Sequence, residues 1–447
     1  MNKHVQFSLI LIFSAIFIWL ISPNNSQSIP SFARQTNLTC NTCHTIFPEI
    51  NAFGRQFKRM GYTLVGVQSI QATTDSGEVI TLRLPSSSPV SSMIMASFSS
   101  TNKEQPGTQN NNFSFPQQLS LFLAGSITPN VGGFIQLTYE QQSGTIGMDN
   151  ADLRFTDQTE LFSEAFVYGI TLNNNPTVQD LWNSLPAWRF PFASSAASPA
   201  PSAATLLEGG LSQNVLGLGV YSLWKDLVYA EISFYRSAIQ GGINPPDNSS
   251  SGVLKGLAPY WRVTLQQQFS DYYVEVGTFG LAANQYPSGI AGVASKRTDI
   301  GFDLNIEKPL EDNMLTVHGS YIRETLSSDS SSVNTNALNT STALNSFNAV
   351  ANYYLHSQIG FSLGYFSLNG DNNPGLYPAS AVSGSANGSP NSSGFTFEFD
   401  YLPWLNTKLA LQYVAYNKFN GGTDNYDGSG RNASDNNTLY LLCWVAF

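Results

Sequence analysis

The sequence predicts a mainly β protein, a transmembrane β-barrel of roughly 16 strands preceded by a small α-helical segment. Three observations predict it. Charged residues make up 11% of the chain and aromatic residues 13%, against a usual charged share of about 25% in soluble domains. From Val90 onward, stretches of about ten residues alternate apolar and polar side chains, the period of a strand with two different faces. Short turns also alternate with long polar loops, as in bacterial barrels with short periplasmic turns and long outer loops.

The chain opens with the parts of an export signal. Lys3 and His4 precede an apolar stretch from Phe7 to Ile21, and the small residues Ser26 and Ser28 stand before Ile29. A basic start, a short apolar middle and small residues at the cut assign residues 1–28 to a signal peptide. The alternative is a permanent anchor, but the run is short for a span of about 20 apolar residues. No other stretch is long or apolar enough for a transmembrane helix. The net charge of −10 speaks against a nucleic-acid binder held by basic patches. Of three cysteines, Cys40 and Cys43 sit together and Cys443 lies near the end, which is not a disulfide framework.

Residues 40–44 read Cys40-Asn41-Thr42-Cys43-His44. C-x-x-C-H is the attachment motif of a c-type haem. Two thiols at this spacing add across the porphyrin vinyl groups, and the adjacent imidazole reaches the iron. A redox dithiol would want a βαβ context, and a zinc site would want further Cys or His nearby; the sequence offers neither. The expected cofactor is therefore one covalently bound haem c, held by Cys40, Cys43 and His44, with His44 as axial ligand and no catalytic residue beyond the haem. The distal ligand is open between Met60, Met93, Met95, His318, His356 and none. Met60 is the first candidate, since a Met/His pair raises the haem potential.

The haem segment is assigned to residues 29–75, a linker to 76–89 and the barrel to 90–447. So small a segment buries little core alone, so it is expected to lean on the barrel and to plug its lumen rather than hang below it. Residues 47–59 read as a short helix covering the haem, with Phe53 and Phe57 on one side. Arg55, Lys58 and Arg59 form a basic cluster, read either as partners of haem propionates or as a solvated face.

In the barrel, Ile135, Leu137 and Tyr139 alternate with Gln136, Thr138 and Glu140, and Ile300, Phe302, Leu304 and Ile306 alternate with Gly301, Asp303, Asn305 and Glu307. Trp261 to Gln266 and Phe395 to Asp400 repeat the pattern. Short turns are expected near Thr128–Val131, Lys225–Asp226, Ser270–Asp271, Leu310–Asn313, His356–Ser357 and Pro403–Asn406. In the last strand Leu439, Leu441, Cys443, Val445 and Phe447 share a face, which makes Cys443 a lipid-facing residue. Thr316, His318 and Ser320 share the lumen face, so His318 is a candidate for contacting the haem or a metal ion. Both barrel ends are expected in the periplasm.

Several stretches resemble the fused monohaem cytochrome–porins of iron-oxidising bacteria. They are Pro30-Ser31-Phe32-Ala33-Arg34-Gln35-Thr36 running into Cys40–His44 and on to Gly61-Tyr62; Asn174-Asn175-Pro176-Thr177-Val178-Gln179-Asp180 with Trp182-Asn183 and Pro186-Ala187-Trp188; and Pro259-Tyr260-Trp261-Arg262. Arg189 stands where the pattern has a small residue, and the outer loops are unusually rich in Asn and Ser. The resemblance implies an outer-membrane Fe(II)-oxidising cytochrome, with Fe(II) as donor, a periplasmic cytochrome or copper protein as acceptor and outer-membrane lipid around the barrel. The competing readings are a transport porin with a haem gate or redox sensor, and electron export to minerals. The Asn174–Trp188 stretch falls in the longest loop, which is expected to fold into the lumen so that its tryptophans find burial.

Overall fold

The computed structural model describes residues 30–63, 69–73, 79–85, 88–140, 144–209, 211, 214–238, 245–250, 252–287, 289–327 and 341–447. The signal peptide assigned to 1–28 lies outside them. Three short helices come first, α1 (Ser31–Thr36), α2 (Cys40–Cys43) and α3 (Ala52–Arg59). The helix expected over 47–59 begins only at Ala52, where the Asn51 side chain accepts from the Gly54 amide and caps it. A hairpin of β1 (Ser69–Thr73) and β2 (Val79–Pro85) follows. The stretch read as a linker, 76–89, thus carries a paired strand.

The barrel strands are β3 (Val90–Thr101), β4 (Asn112–Thr128), β5 (Val131–Glu140), β6 (Thr145–Leu161), β7 (Glu164–Asn173), β8 (Val215–Trp224), β9 (Val228–Ser237) and β10 (Ala258–Gln268). Then come β11 (Tyr273–Gln285), β12 (Ser295–Leu310), β13 (Asn313–Ser327), β14 (Ser341–Leu355), β15 (Ile359–Gly370), β16 (Ser392–Trp404), β17 (Thr407–Lys418) and β18 (Thr438–Ala446). Each pairs antiparallel with its neighbour, and β18 pairs with β3, opposing Tyr440 to Ser99 and Leu442 to Ser97. The result is a closed barrel of 16 strands, which leaves no unpaired edge in lipid.

The two faces of the wall differ as lipid and lumen demand. On β12, Ile300 and Phe302 are 46% and 55% exposed on the outside, while Asp299, Asp303, Asn305 and Glu307 are buried inside. β10 and β16 repeat this, with Val263, Leu265, Phe395 and Phe397 outward and Arg262, Thr264, Glu398 and Asp400 inward. Cys443 lies on the outer face with Leu439 and Leu441. Among the described residues no helix is long and apolar enough to cross a membrane; the chain crosses with strands. An even-stranded closed barrel with an apolar outer band is the architecture of the bacterial outer membrane.

All six expected short turns are present, and a seventh joins β6 to β7 through Phe162 and Ser163. Both residues have positive φ, 55° and 62°, as a two-residue hairpin turn of the I′ type requires. The first strand begins and the last ends beside these turns, where the Ser92 amide donates to the Phe447 carbonyl. Both barrel ends therefore lie on the short-turn, periplasmic side.

The connection from β7 to β8 folds inward. Val178, Gln179, Asp180, Leu181, Trp182 and Leu185 are all buried. Asp180 organises this loop: its carboxylate accepts from the amides of Trp182 at 3.0 Å, Ser184 at 2.7 Å and Leu185 at 3.0 Å. The Trp182 indole donates to Tyr273 on the wall at 2.8 Å. The expectation that this loop enters the lumen is met, with Trp182 buried and Trp188 half-buried.

Candidate functional site

The helical segment sits inside the periplasmic half of the lumen as a plug. Its one carboxylate, Glu49, is a hub: His318 Nε2 lies 3.1 Å from Oε1, and Asn352 and the Tyr354 hydroxyl donate to Oε2 at 3.1 and 2.6 Å. Burial alone would raise the Glu49 carboxyl; the charge and hydrogen bond of His318 and the Tyr354 hydroxyl instead hold it below the usual carboxylate range. Arg55 pairs with Glu307 and lies over the Tyr273 ring, 4.5 Å from its centre. The Lys58 ammonium donates to the Asp180 carbonyl at 2.7 Å, and the Tyr62 hydroxyl donates to Asp152 at 2.7 Å. At the rim, the Gln35 amide donates to the Ala124 carbonyl at 2.8 Å.

These anchors correct several sequence expectations. The basic cluster is not a solvated face: Arg55, Lys58 and Arg59 are buried, and Arg55 and Lys58 are held by the wall and the inward loop. His318 faces the lumen as expected, but its ring is taken up by Glu49 and Asn305. Among the described residues no group of three or more His, Cys, Asp or Glu is arranged to hold a metal ion. His318 meets the plug through Glu49. Met60 packs beside Leu181, Trp182 and Tyr229, away from the Cys40–His44 motif. His356 is exposed in the turn between β14 and β15.

Cys40, Cys43 and His44 line one apolar cleft together with Phe32, Phe47, Phe57, Tyr62, Trp188 and Trp444. Met93 is the methionine that reaches it. The cleft spans about 1420 Å³ including its mouth, which opens at the periplasmic rim beside Pro30, Leu405 and Ala446. Aromatic pairs build its walls: Phe32 on Phe57 at 5.0 Å, Phe47 on Trp444 at 5.3 Å and Phe134 on Trp188 at 6.1 Å.

The motif is shaped by its backbone. The His44 amide donates to the Cys40 carbonyl at 3.0 Å and the Asn51 amide to the Cys43 carbonyl at 2.9 Å, so one turn ends at His44 and the chain returns to start α3. Gly54 permits that return: a Cβ there would stand 2.2 Å from the Cys43 carbonyl oxygen. Gly54→Ala is expected to push α3 off α2 at a cost of about 1–3 kcal/mol. Added protease should then cut the plug faster in folded barrels, with the barrel itself intact.

Burial pushes the Cys40 thiol up and the Cys43 thiol up to about 11, the latter also through its neighbour Cys40. A redox dithiol has the opposite tendency, a lowered thiol pKa. Burial pushes the His44 imidazole below its ordinary value, with the backbone of Glu49 and Pro48 beside its ring opposing it. Its Nδ1 is buried without a hydrogen-bond partner.

No protein-family profile matches the chain, and no curated protein sequence matches it. Solved structures similar to it include outer-membrane proteins and porins. OmpF of Salmonella typhi, in complex with daunomycin, is 13% identical over 80% of this chain and 97% of its own, with a TM-score of 0.46. An anion-selective porin from Comamonas acidovorans is 12% identical over 80% and 98%, with a TM-score of 0.47. The outer membrane channel DcaP of Acinetobacter baumannii is 12% identical over 80% and 96%, with a TM-score of 0.43. The chain is a porin-like outer-membrane barrel of 16 strands, with helices in the lumen.

Proposed function

We propose that this protein is an outer-membrane electron-transfer cytochrome, which takes electrons from Fe(II) outside the cell and delivers them to a periplasmic cytochrome or copper protein. The observation that carries the reading is the cleft: the C-x-x-C-H thiols and imidazole line one apolar, aromatic-walled space, the surroundings a porphyrin ring requires. A ligating imidazole usually gives its second nitrogen to a carbonyl, and backbone of Pro48 and Glu49 lies beside this ring.

Cys40 and Cys43 would hold a haem through thioether bonds and His44 would supply the axial nitrogen. A haem so held takes up and releases one electron at a potential set by its ligands and burial. The protein's part is position and exclusion. Phe32, Phe57 and Tyr62 keep water from one side, and Trp188 from the inward loop keeps it from the outer side. The anchors through Glu49, Arg55 and Tyr62 fix this segment within the barrel, where lipid would otherwise insulate the two compartments. In each turnover Fe(II) loses one electron outside and the periplasmic carrier gains it.

The test is sided. In liposomes carrying the protein, Fe(II) added outside only is expected to reduce the haem; haem that stays oxidised, while dithionite reduces it, would overturn Fe(II) oxidation. A second reading, a transport porin with a haem gate or sensor, is favoured by one observation. Between the inward loop and β13–β17 lies a passage of about 1300 Å³, lined by Asn183, His318, Asn348 and Gln412 among others. Size-selective conductance indifferent to haem redox state would support that reading. Electron export to minerals is the same path reversed, and a midpoint potential well below that of Fe(III)/Fe(II) would favour it.

A further inference from the structure

A second lumen cavity, of about 900 Å³, stands directly outward of the cleft and shares Met93, Trp188 and Trp444 with it. The stacking can be followed strand by strand. On β3 the cleft takes Ser91 to Met93 and the outer cavity Met93 and Met95; on β4 Phe122 and Ala124 give way to Gln118; on β5 Phe134 gives way to Gln136. Two residues along a strand are about 6.6 Å, so the outer cavity lies one side-chain layer farther from the periplasm. Its lining keeps Trp188 and Trp444 and adds Phe192 and the polar side chains of Gln118, Gln136, Asp149, Asn150, Asn175 and Thr177.

Two carboxylates line the cavity, Asp149 and Glu208, and a β-bulge delivers the first. Gln136 pairs with Asn150 and the next residue, Leu137, pairs with Met148, so Asp149 is the extra residue on β6. Strict alternation would send Asp149 to lipid, opposite in phase to the buried Asn150; the bulge instead places it against the lumen-side Thr138 hydroxyl, which donates to it at 3.1 Å. Bulges re-aim side chains in this way beside functional sites. Glu208 lines both this cavity and the larger passage, and Arg189 holds it at 2.7 Å. That ion pair stands between the two spaces.

We propose that this outer cavity is the electron-donor site, an antechamber for a small hydrated divalent cation. The proposal rests on the electron-transfer reading above. Asp149 supplies charge, and the side-chain oxygens of Gln118, Gln136 and Thr177 replace bulk water around the ion's hydration shell, as oxygen ligands suit hard cations. There Fe(II) gives up one electron through the Met93–Trp188–Trp444 partition to the group tethered at Cys40 and Cys43, and leaves as Fe(III). The partition keeps the ion out of the cleft.

Mn(II), a divalent ion that does not reduce haem, is the probe. Its binding to the purified holoprotein, read by electron paramagnetic resonance, is expected to weaken about tenfold in Asp149→Asn and further in Gln118→Lys, since each tenfold is about 1.4 kcal/mol. The same variants should slow reduction by Fe(II) and leave reduction by dithionite unchanged, and Mn(II) should compete with Fe(II) in the parent protein. Equal Mn(II) binding in parent and variants, or Fe(II) reduction unaltered by both substitutions, would overturn the antechamber while leaving Fe(II) oxidation standing. Mn(II) bound through Asp149 in a protein whose haem Fe(II) never reduces would overturn the function and leave the cation site.

Discussion

Cys43→Ala combined with Cys40→Ala is expected to yield a barrel without covalent haem. Both thioethers are lost outright, since the four-residue helix Cys40–Cys43 supplies both thiols. Haem-dependent peroxidase staining on a denaturing gel should disappear, and Fe(II)-driven reduction in liposomes should fall to background. The barrel should still assemble, because the plug's anchors lie elsewhere: Glu49 on His318, Asn352 and Tyr354, Arg55 on Glu307, and Tyr62 on Asp152. Its heat-modifiable migration therefore stays. Haem staining that persists at parent level would contradict the assignment of Cys40 and Cys43.

Arg262→Met is expected to have the largest effect on the barrel interior. Arg262 is 1% exposed and faces three carboxylates, Asp303, Glu275 at 3.4 Å and Asp180 at 3.4 Å, while its guanidinium stacks 4.5 Å from the Trp182 ring. Removing one partner of a buried ion pair leaves the others uncompensated, at a cost of about 3–5 kcal/mol. The inward loop, which hangs on Asp180, should loosen with it. The expected readings are a lowered thermal midpoint and a raised single-channel conductance. Asp303→Asn in the same chain should restore part of the loss, since it removes one of the stranded charges. An unchanged midpoint in the single variant would refute this role of Arg262.

Strand phase was legible because lipid and lumen impose opposite chemistry on alternate positions. Ile300 and Phe302 against Asp303 and Glu307 leave one orientation for β12. The turn at Phe162–Ser163 carried no such mark: neither residue is Gly or Asn, yet both hold positive φ. The C-x-x-C-H motif was legible because its spacing is the chemistry. Its surroundings were not, since they are assembled from distant strands: Phe122, Phe134 and Trp444 meet Cys40 only through barrel closure. Met60 was put forward on separation along the chain alone, and α3 turns it toward Trp182. Glu49 had one sequence signal, as the single carboxylate between Pro30 and Thr63. A lone acid in a basic segment bound for a barrel interior is a natural docking point, and only the register of β13 and β14 shows that His318, Asn352 and Tyr354 receive it.

The central claim is a porphyrin bonded to Cys40 and Cys43 in a chain seated in the outer membrane. Intact-mass spectrometry of protein purified from the outer-membrane fraction, with an optical spectrum of the same sample, tests it most directly. The account predicts the mass of the processed polypeptide plus one haem, and a reduced-minus-oxidised difference of the c type that survives acid–acetone extraction. A mass equal to the bare polypeptide, with no residual haem absorbance after extraction, would contradict it.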